Sequence, residues 1–181
     1  YSPSGSPNWW QLKVQFYQEP EPEEDLGGPL ELTDNFDLNS VYPNGLFYGN
    51  DISLTGLAMT GSGKIFASGD INITNCIIPG GIEIASNGEI NIVNSTLGSN
   101  VNSISNSIII YSKGSLDING SSCRGLIINQ GMTLSISGSS NIKGALHTCS
   151  TTTDILESTI TGSIVSKYGA IINNSTINKG S

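Results

Sequence analysis

From Leu46 onward the chain alternates apolar and polar positions in short bursts, and the bursts recur at a near-constant interval. Five of them carry a recognisable Gly-x-Ile-x-Ile core: Gly49-Asn50-Asp51-Ile52-Ser53-Leu54, Gly69-Asp70-Ile71-Asn72-Ile73, Gly88-Glu89-Ile90-Asn91-Ile92, Gly114-Ser115-Leu116-Asp117-Ile118 and Gly131-Met132-Thr133-Leu134-Ser135-Ile136. Cut before the first apolar strand, the repeats are 46–63, 64–80, 81–106, 107–125, 126–144, 145–162 and 163–180. Their lengths are 18, 17, 26, 19, 19, 18 and 18; the third carries an insertion near Gly98 to Asn106, and the last two are looser. Period-2 alternation marks strands with one buried face, and a period near 18 is too short for a helix pair. An all-β fold follows, a parallel β-helix of about seven 17–19-residue coils, each supplying about three short strands. Ile71 and Ile73 should then stack on Ile90 and Ile92, and these on Leu116 and Ile118, at the roughly 4.8 Å spacing of paired strands. An antiparallel sandwich would need hairpins, whereas a repeated register predicts equivalent positions stacked in the same direction. Uneven coil lengths and the insertion suit a right-handed coil.

Residues 1–45 have a different character and read as an irregular N-terminal loop region packed on the solenoid of 46–181. Trp9, Trp10, Leu12, Val14, Phe16 and Tyr17 form a short strand-like stretch that should lie against something apolar. The run Glu19-Pro20-Glu21-Pro22-Glu23-Glu24-Asp25 supports neither helix nor sheet, and Gly27-Gly28-Pro29 follows as a further breaker. At the other end the pattern is still running at Lys179-Gly180-Ser181, so the solenoid reads as truncated there.

Of the 181 residues, 15 are acidic and 7 basic, a net charge of -8. Splitting at Gly45 places -7 before it and -1 after it. That acidity speaks against a nucleic-acid partner, and no apolar run approaches the roughly 18 to 20 residues of a membrane span, so no membrane insertion of this fragment is expected. Cys76, Cys123 and Cys149 lack metal or redox spacing and read as buried thiols. The single histidine, His147, and the single arginine, Arg124, stand in no motif, and no serine lies in Gly-x-Ser-x-Gly. No catalytic residue and no cofactor is therefore assigned.

Two constellations remain. Asp51, Asp70 and Glu89 each precede an inward Ile and recur every 19 residues, which makes a vertical ladder of carboxylates. Such a ladder is a weak calcium candidate, because close carboxylates repel and calcium takes oxygen ligands; solvated side chains are the plainer reading. Four positions back from the ladder run Phe47, Phe66, Ala85, Tyr111 and Asn129, opposite in parity to inward Ile84 and Ile110. An exposed aromatic strip on a flat face is what ordered sugar rings pack against. With Trp9, Trp10, Phe16 and Tyr17 it forms the candidate carbohydrate-binding set, unless the N-terminal stretch packs over the strip and makes a satellite core.

The stretches Asn44-Gly45-Leu46-Phe47-Tyr48-Gly49-Asn50-Asp51-Ile52-Ser53-Leu54-Thr55-Gly56 and Ile65-Phe66-Ala67-Ser68-Gly69-Asp70-Ile71-Asn72-Ile73 resemble the solenoid repeats of ectodomains associated with bacterial type IV pili. The resemblance covers about residues 44 to 180. Within that setting the low-charge, Asn/Ile/Ser-rich solenoid with a long aromatic N-terminal loop is similar to the tāpirins. That resemblance implies a non-catalytic, extracellular protein of the bacterial cell surface that binds cellulose through a β-helical domain, with type IV pilus components as further partners. It carries over no site residue. The expectation is a non-enzymatic adhesin for insoluble plant polysaccharide, most simply crystalline cellulose. A structural, pilin-like subunit that makes only protein contacts comes second, and a polysaccharide lyase or hydrolase third.

Overall fold

The structure is a computed structural model that describes residues 28–98 and 107–180. It is nearly all β, a solenoid of about seven turns. The first sheet stacks eight parallel strands in chain order: Leu30–Leu32, Ile52–Thr55, Ile71–Thr74, Ile90–Val93, Leu116–Asn119, Thr133–Ser137, Thr152–Leu156 and Ile171–Asn173. The second stacks Leu46–Tyr48, Gly63–Ala67, Ile82–Ser86, Ile108–Ser112, Ser122–Asn129, Asn141–Thr148, Thr159–Ser166 and Thr176–Lys179, also parallel. A narrow third side begins as the two-residue strands Met59–Thr60, Ile77–Ile78 and Thr96–Leu97. From Ser122 onward that side is continuous with the second sheet, because Thr96 and Leu97 pair with Ser122 and Cys123 at the start of an eight-residue strand.

The inward columns are those the alternation predicts. Ile52, Ile71, Ile90, Leu116 and Leu134 are paired in register and fully buried, as are Leu54, Ile73, Ile92, Ile118 and Ile136 two residues on. Side chains of the second sheet, Ile65, Ile84, Ile110, Ile127 and Leu146, close the core from the opposite side. One position breaks the first column: Thr153 pairs with Leu134 and is buried, and among the described residues its Oγ1 has no hydrogen-bond partner.

The corners explain the Asn- and Ser-rich composition. The chain leaves the first sheet through a residue at positive φ: Asn75 (55°), Asn94 (48°), Gly120 (59°), Ser139 (64°), Glu157 (50°) and Asn174 (49°). The next residue points inward, and from the third coil on it is serine. Its hydroxyl accepts the N–H of its counterpart one coil earlier: Cys76 N–H to Ser95 Oγ (3.0 Å), Ser95 N–H to Ser121 Oγ (3.0 Å), Ser121 N–H to Ser140 Oγ (3.1 Å) and Ser158 N–H to Ser175 Oγ (3.0 Å). Ser95 and Ser121 hydroxyls also donate to the carbonyls of Val93 and Asn119, both at 2.8 Å. Buried amides are thereby satisfied where no strand can pair them.

The second corner, into the second sheet, needs glycine for a different reason. Gly125, Gly144 and Gly162 have φ of 148°, 139° and 143° and stack in register. A Cβ on Gly144 would overlap the carbonyl oxygen of Gly125, and one on Gly162 that of Gly144.

Residues 30–41, which the sequence reading places in the N-terminal loop region, belong to the stack. Leu30–Leu32 pairs in parallel with Ile52–Leu54, and Phe36–Asp37 with Met59–Thr60. They carry no Gly-x-Ile-x-Ile signal and lie among acidic residues, so the alternation there is hidden. A helical turn, Leu38–Val41, closes the core at this end with fully buried Leu38. Asp37 caps it, accepting the Ser40 N–H at 2.9 Å and the Thr60 hydroxyl at 2.8 Å, and these hydrogen bonds, Thr60's first, hold its pKa below the ordinary value. At the opposite end Ile172 and Ile177 pair with inward Ile155 and Ile160 yet remain exposed, with no further strand beside them among the described residues.

Two substitutions separate the corner types. Gly56 (φ 70°) has open space where a Cβ would stand and is equivalent to Asn75, so Gly56→Asn should leave the urea midpoint nearly unchanged. Gly144→Ala should lower stability by about 1–3 kcal/mol, from backbone strain and collision with the neighbouring coil. Thr153→Val should raise stability by about 1 kcal/mol, since it removes an unsatisfied buried hydroxyl while preserving shape; a lowered midpoint would mean that the hydroxyl is hydrogen bonded.

Candidate functional site

Asp51, Asp70 and Glu89 stand in the vertical order their spacing predicts, at the head of the first sheet. The Asp51 carboxylate accepts the backbone N–H of Asp70 at 2.8 Å, and Asp70 accepts that of Glu89 at 2.7 Å. The ladder thus ties each coil to the next. The glycines before Asp70 and Glu89 make room for it: a Cβ on Gly69 would overlap Asp51 Oδ1, and one on Gly88 would overlap Asp70 Oδ1. The periodicity that suggested calcium belongs to this capping arrangement, and among the described residues no group of three or more His, Cys, Asp or Glu is placed to hold a metal ion.

The aromatic column forms on the outward side of the second sheet, with one change of membership. Phe47 pairs with Phe66, Phe66 with Ala85, Ala85 with Tyr111, and Tyr111 with Ile128 rather than Asn129. Asn129 pairs with Ser112 and is wholly buried, its amide donating to the Gly114 carbonyl at 2.8 Å. The turn through Gly131 is one residue longer between the two sheets than the turns before it, including that through Gly114, which shifts the count. Nor is the column an open platform: Phe66, Ala85 and Ile128 retain only 5%, 2% and 8% of their exposure. Phe47 and Tyr111 are half-buried, and the Tyr111 hydroxyl donates to Gln130 Oε1 at 2.7 Å. Trp9, Trp10, Phe16 and Tyr17 lie outside the described residues.

A second feature was not anticipated. Where the narrow side meets the second sheet, an open groove of about 940 Å³ runs along the solenoid axis and takes lining residues from Ser62 to Gly180. Its floor is the glycine column Gly125, Gly144 and Gly162. One wall is the outward column Arg124, Lys143 and Thr161, paired in register; the other is Lys64, Glu83, Ile109 and Leu126. Lys64 and Glu83 form an ion pair at 3.3 Å. The signal was present in the sequence as a polar residue before glycine at a steady interval, Arg124-Gly125, Lys143-Gly144 and Thr161-Gly162. Among the described residues three Lys and Arg side chains line this groove against one carboxylate.

The remaining chemistry is modest. His147 is half-buried on the outward column, paired with Ile128 and Val165. Cys76 and Cys123 are buried thiols as expected, whereas Cys149 is only partly covered. Burial pushes the Cys123 thiol up to about 12, so it stays protonated at neutral pH. No helix among the described residues is long and apolar enough to cross a membrane.

The fold and groove define a β-solenoid with an axial surface channel. No protein-family model matches this chain, and no curated protein or solved structure matches it either.

Because the carboxylate ladder caps backbone amides, Asp70→Ala should lower stability by about 1 kcal/mol. Neither millimolar calcium nor a chelator should move the thermal midpoint of the parent protein. A calcium-dependent rise that disappears in Asp70→Ala would assign the ladder to metal binding.

Proposed function

We propose that this protein is a non-catalytic adhesin that holds an extended polysaccharide chain along its solenoid axis. The carrying observation is the continuity of the groove: successive coils present equivalent positions to it, one strand spacing apart, so a periodic surface meets a periodic polymer. An extracellular setting on the bacterial surface, and cellulose as the first polymer to try, come from the resemblance to the tāpirins. With Phe66 buried, the groove rather than the aromatic strip is the better-formed feature for engaging a chain. The non-catalytic reading is supported by the groove's titratable groups. Among the described residues Glu83 is the one carboxylate in its lining and is engaged by Lys64, whereas glycoside hydrolysis ordinarily uses two carboxyl groups.

A structural subunit making only protein contacts, pilus components included, is the second reading, favoured by the burial of the outward-facing Phe66, Ala85 and Ile128. The two separate in depletion isotherms on cellulose, xylan and pectin, with soluble sugar measured in the same tubes. Saturable adsorption without product is the expected outcome. Adsorption to none of the polymers would transfer the assignment to the structural reading, and released oligosaccharides that vanish in Glu83→Gln or Lys143→Gln would make the protein a polysaccharide-degrading enzyme.

A further inference from the structure

The floor of the groove is bare backbone along its length. Gly63 pairs with Ile82, Ile108 with Gly125, Gly125 with Gly144, and Gly144 with Gly162. The two isoleucines in this row are buried in the core, so none of the six residues raises a side chain into the channel. The peptide groups beside them are engaged along the axis: Gly63 N–H donates to the Gly81 carbonyl at 3.1 Å and Gly81 N–H to that of Ser107 at 2.8 Å, and the strand ladders take up those that follow. A ligand on the floor therefore meets Cα–H surface rather than amides. Hydrogen-bonding groups stand on one wall, at Ser107, Lys143 and Thr161, and Ile109 and Leu126 supply apolar contact on the other.

The dimensions are those of a single chain. The walls are the residues just before and just after the floor row, so two residues of strand separate them, roughly 7 Å. From Gly63 to Gly162 the row crosses five strand spacings, about 24 Å. A volume of about 940 Å³ over that length leaves a mean cross-section of about 40 Å², which admits one extended polymer and not two side by side. A flat crystal face cannot descend between such walls to the floor. A pyranose unit in an extended chain advances by close to one strand spacing, so the six rows match about six units. An extended peptide is a poorer match, because its advance of roughly 3.3 Å per residue falls out of step with the coils. The described lining holds no aromatic ring, so no one subsite dominates and contacts accumulate with each unit.

Resting on the polysaccharide reading above, we infer that the groove takes one isolated, extended polysaccharide chain of about six sugar units, as found in amorphous or soluble polymer, and not the face of a crystal.

The test uses the full chain. Titration calorimetry with β-1,4-linked gluco- and xylo-oligosaccharides of increasing length reads the length dependence, and depletion isotherms compare swollen amorphous cellulose with microcrystalline cellulose of matched accessible area. Affinity should rise with each unit up to about six and then level off. Six-unit oligosaccharide should displace the protein from amorphous cellulose, and the crystalline form should adsorb it about 10-fold less, in proportion to the isolated chains it exposes. Ser107→Leu/Thr161→Leu, which removes two wall hydroxyls and narrows the channel, should weaken six-unit binding about 10-fold. Thr55→Leu, on the exposed side of the first sheet, should leave it unchanged. Circular dichroism and the melting curve establish that each variant is folded; if the double variant melts early, the length series on the parent protein decides.

Affinity that levels off well short of six units, or equal adsorption to crystalline and amorphous cellulose that the oligosaccharide fails to displace, overturns the inference while the polysaccharide reading stands. A folded double variant that binds as the parent does, or a glycine-serine peptide that binds as tightly as the six-unit sugar, overturns it as well. Adsorption to none of these polymers in any form removes both.

Discussion

In-register stacking is the constraint on which the rest of the structure depends. Every residue stands one strand spacing, about 4.8 Å, from its counterparts in the coils before and after it. A position can hold only what tolerates its own neighbour at that distance. Aliphatic side chains do so by packing, and they fill the inward columns. Serine hydroxyls do so by accepting one amide and donating to a carbonyl, and they fill the inward corner. Carboxylates do so only when each turns to the amide of the next coil, as Asp51 and Asp70 do. Glycine does so where two backbones approach too closely for any Cβ, as at Gly125, Gly144 and Gly162.

The same constraint decides how much could be read in advance. Column membership on the first sheet was legible, because Ile71, Ile90 and Leu116 announce one register through a repeated core and a period of 2. Asp70 and Glu89 were placed correctly for the same reason. What the Asp51 and Asp70 carboxylates bind was not legible, since spacing reports which residues are neighbours but not whether a side chain turns to a metal, to water or to a backbone N–H. The serine corner had a signal in Asn94-Ser95, Gly120-Ser121 and Asn174-Ser175, hidden because Asn and Ser are common throughout. The aromatic parity was legible, whereas whether the strip is open or covered was not, because burial of an outward-facing Phe66 depends on what lies across the sheet. The shift from Asn129 to Ile128 came from a one-residue difference in coil length. Leu30–Leu32 went unseen because a strand covering an open sheet edge need not repeat the motif of the strands it covers.

Charge follows a different logic from the core. The solenoid portion of the chain is close to neutral, so its electrostatic character comes from local placement rather than from total charge. Among the described residues three cations and one carboxylate line the axial channel of a chain that is acidic as a whole. Fold and surface chemistry are therefore separable here: outward positions can change so long as each stacked residue remains compatible with its neighbours.

The direction of the hydrogen bonds has a mechanical meaning. In a stack of parallel strands the backbone bonds point along the solenoid axis, so each coil is held to the next by one set of ladders and to no other coil. Traction along the axis would load those ladders in tension and peel the stack coil by coil from its weaker end. Traction along the strands would have to shear an entire ladder at once. For a protein held at one end and gripped at the other, the angle of pull would govern grip as strongly as the number of contacts made.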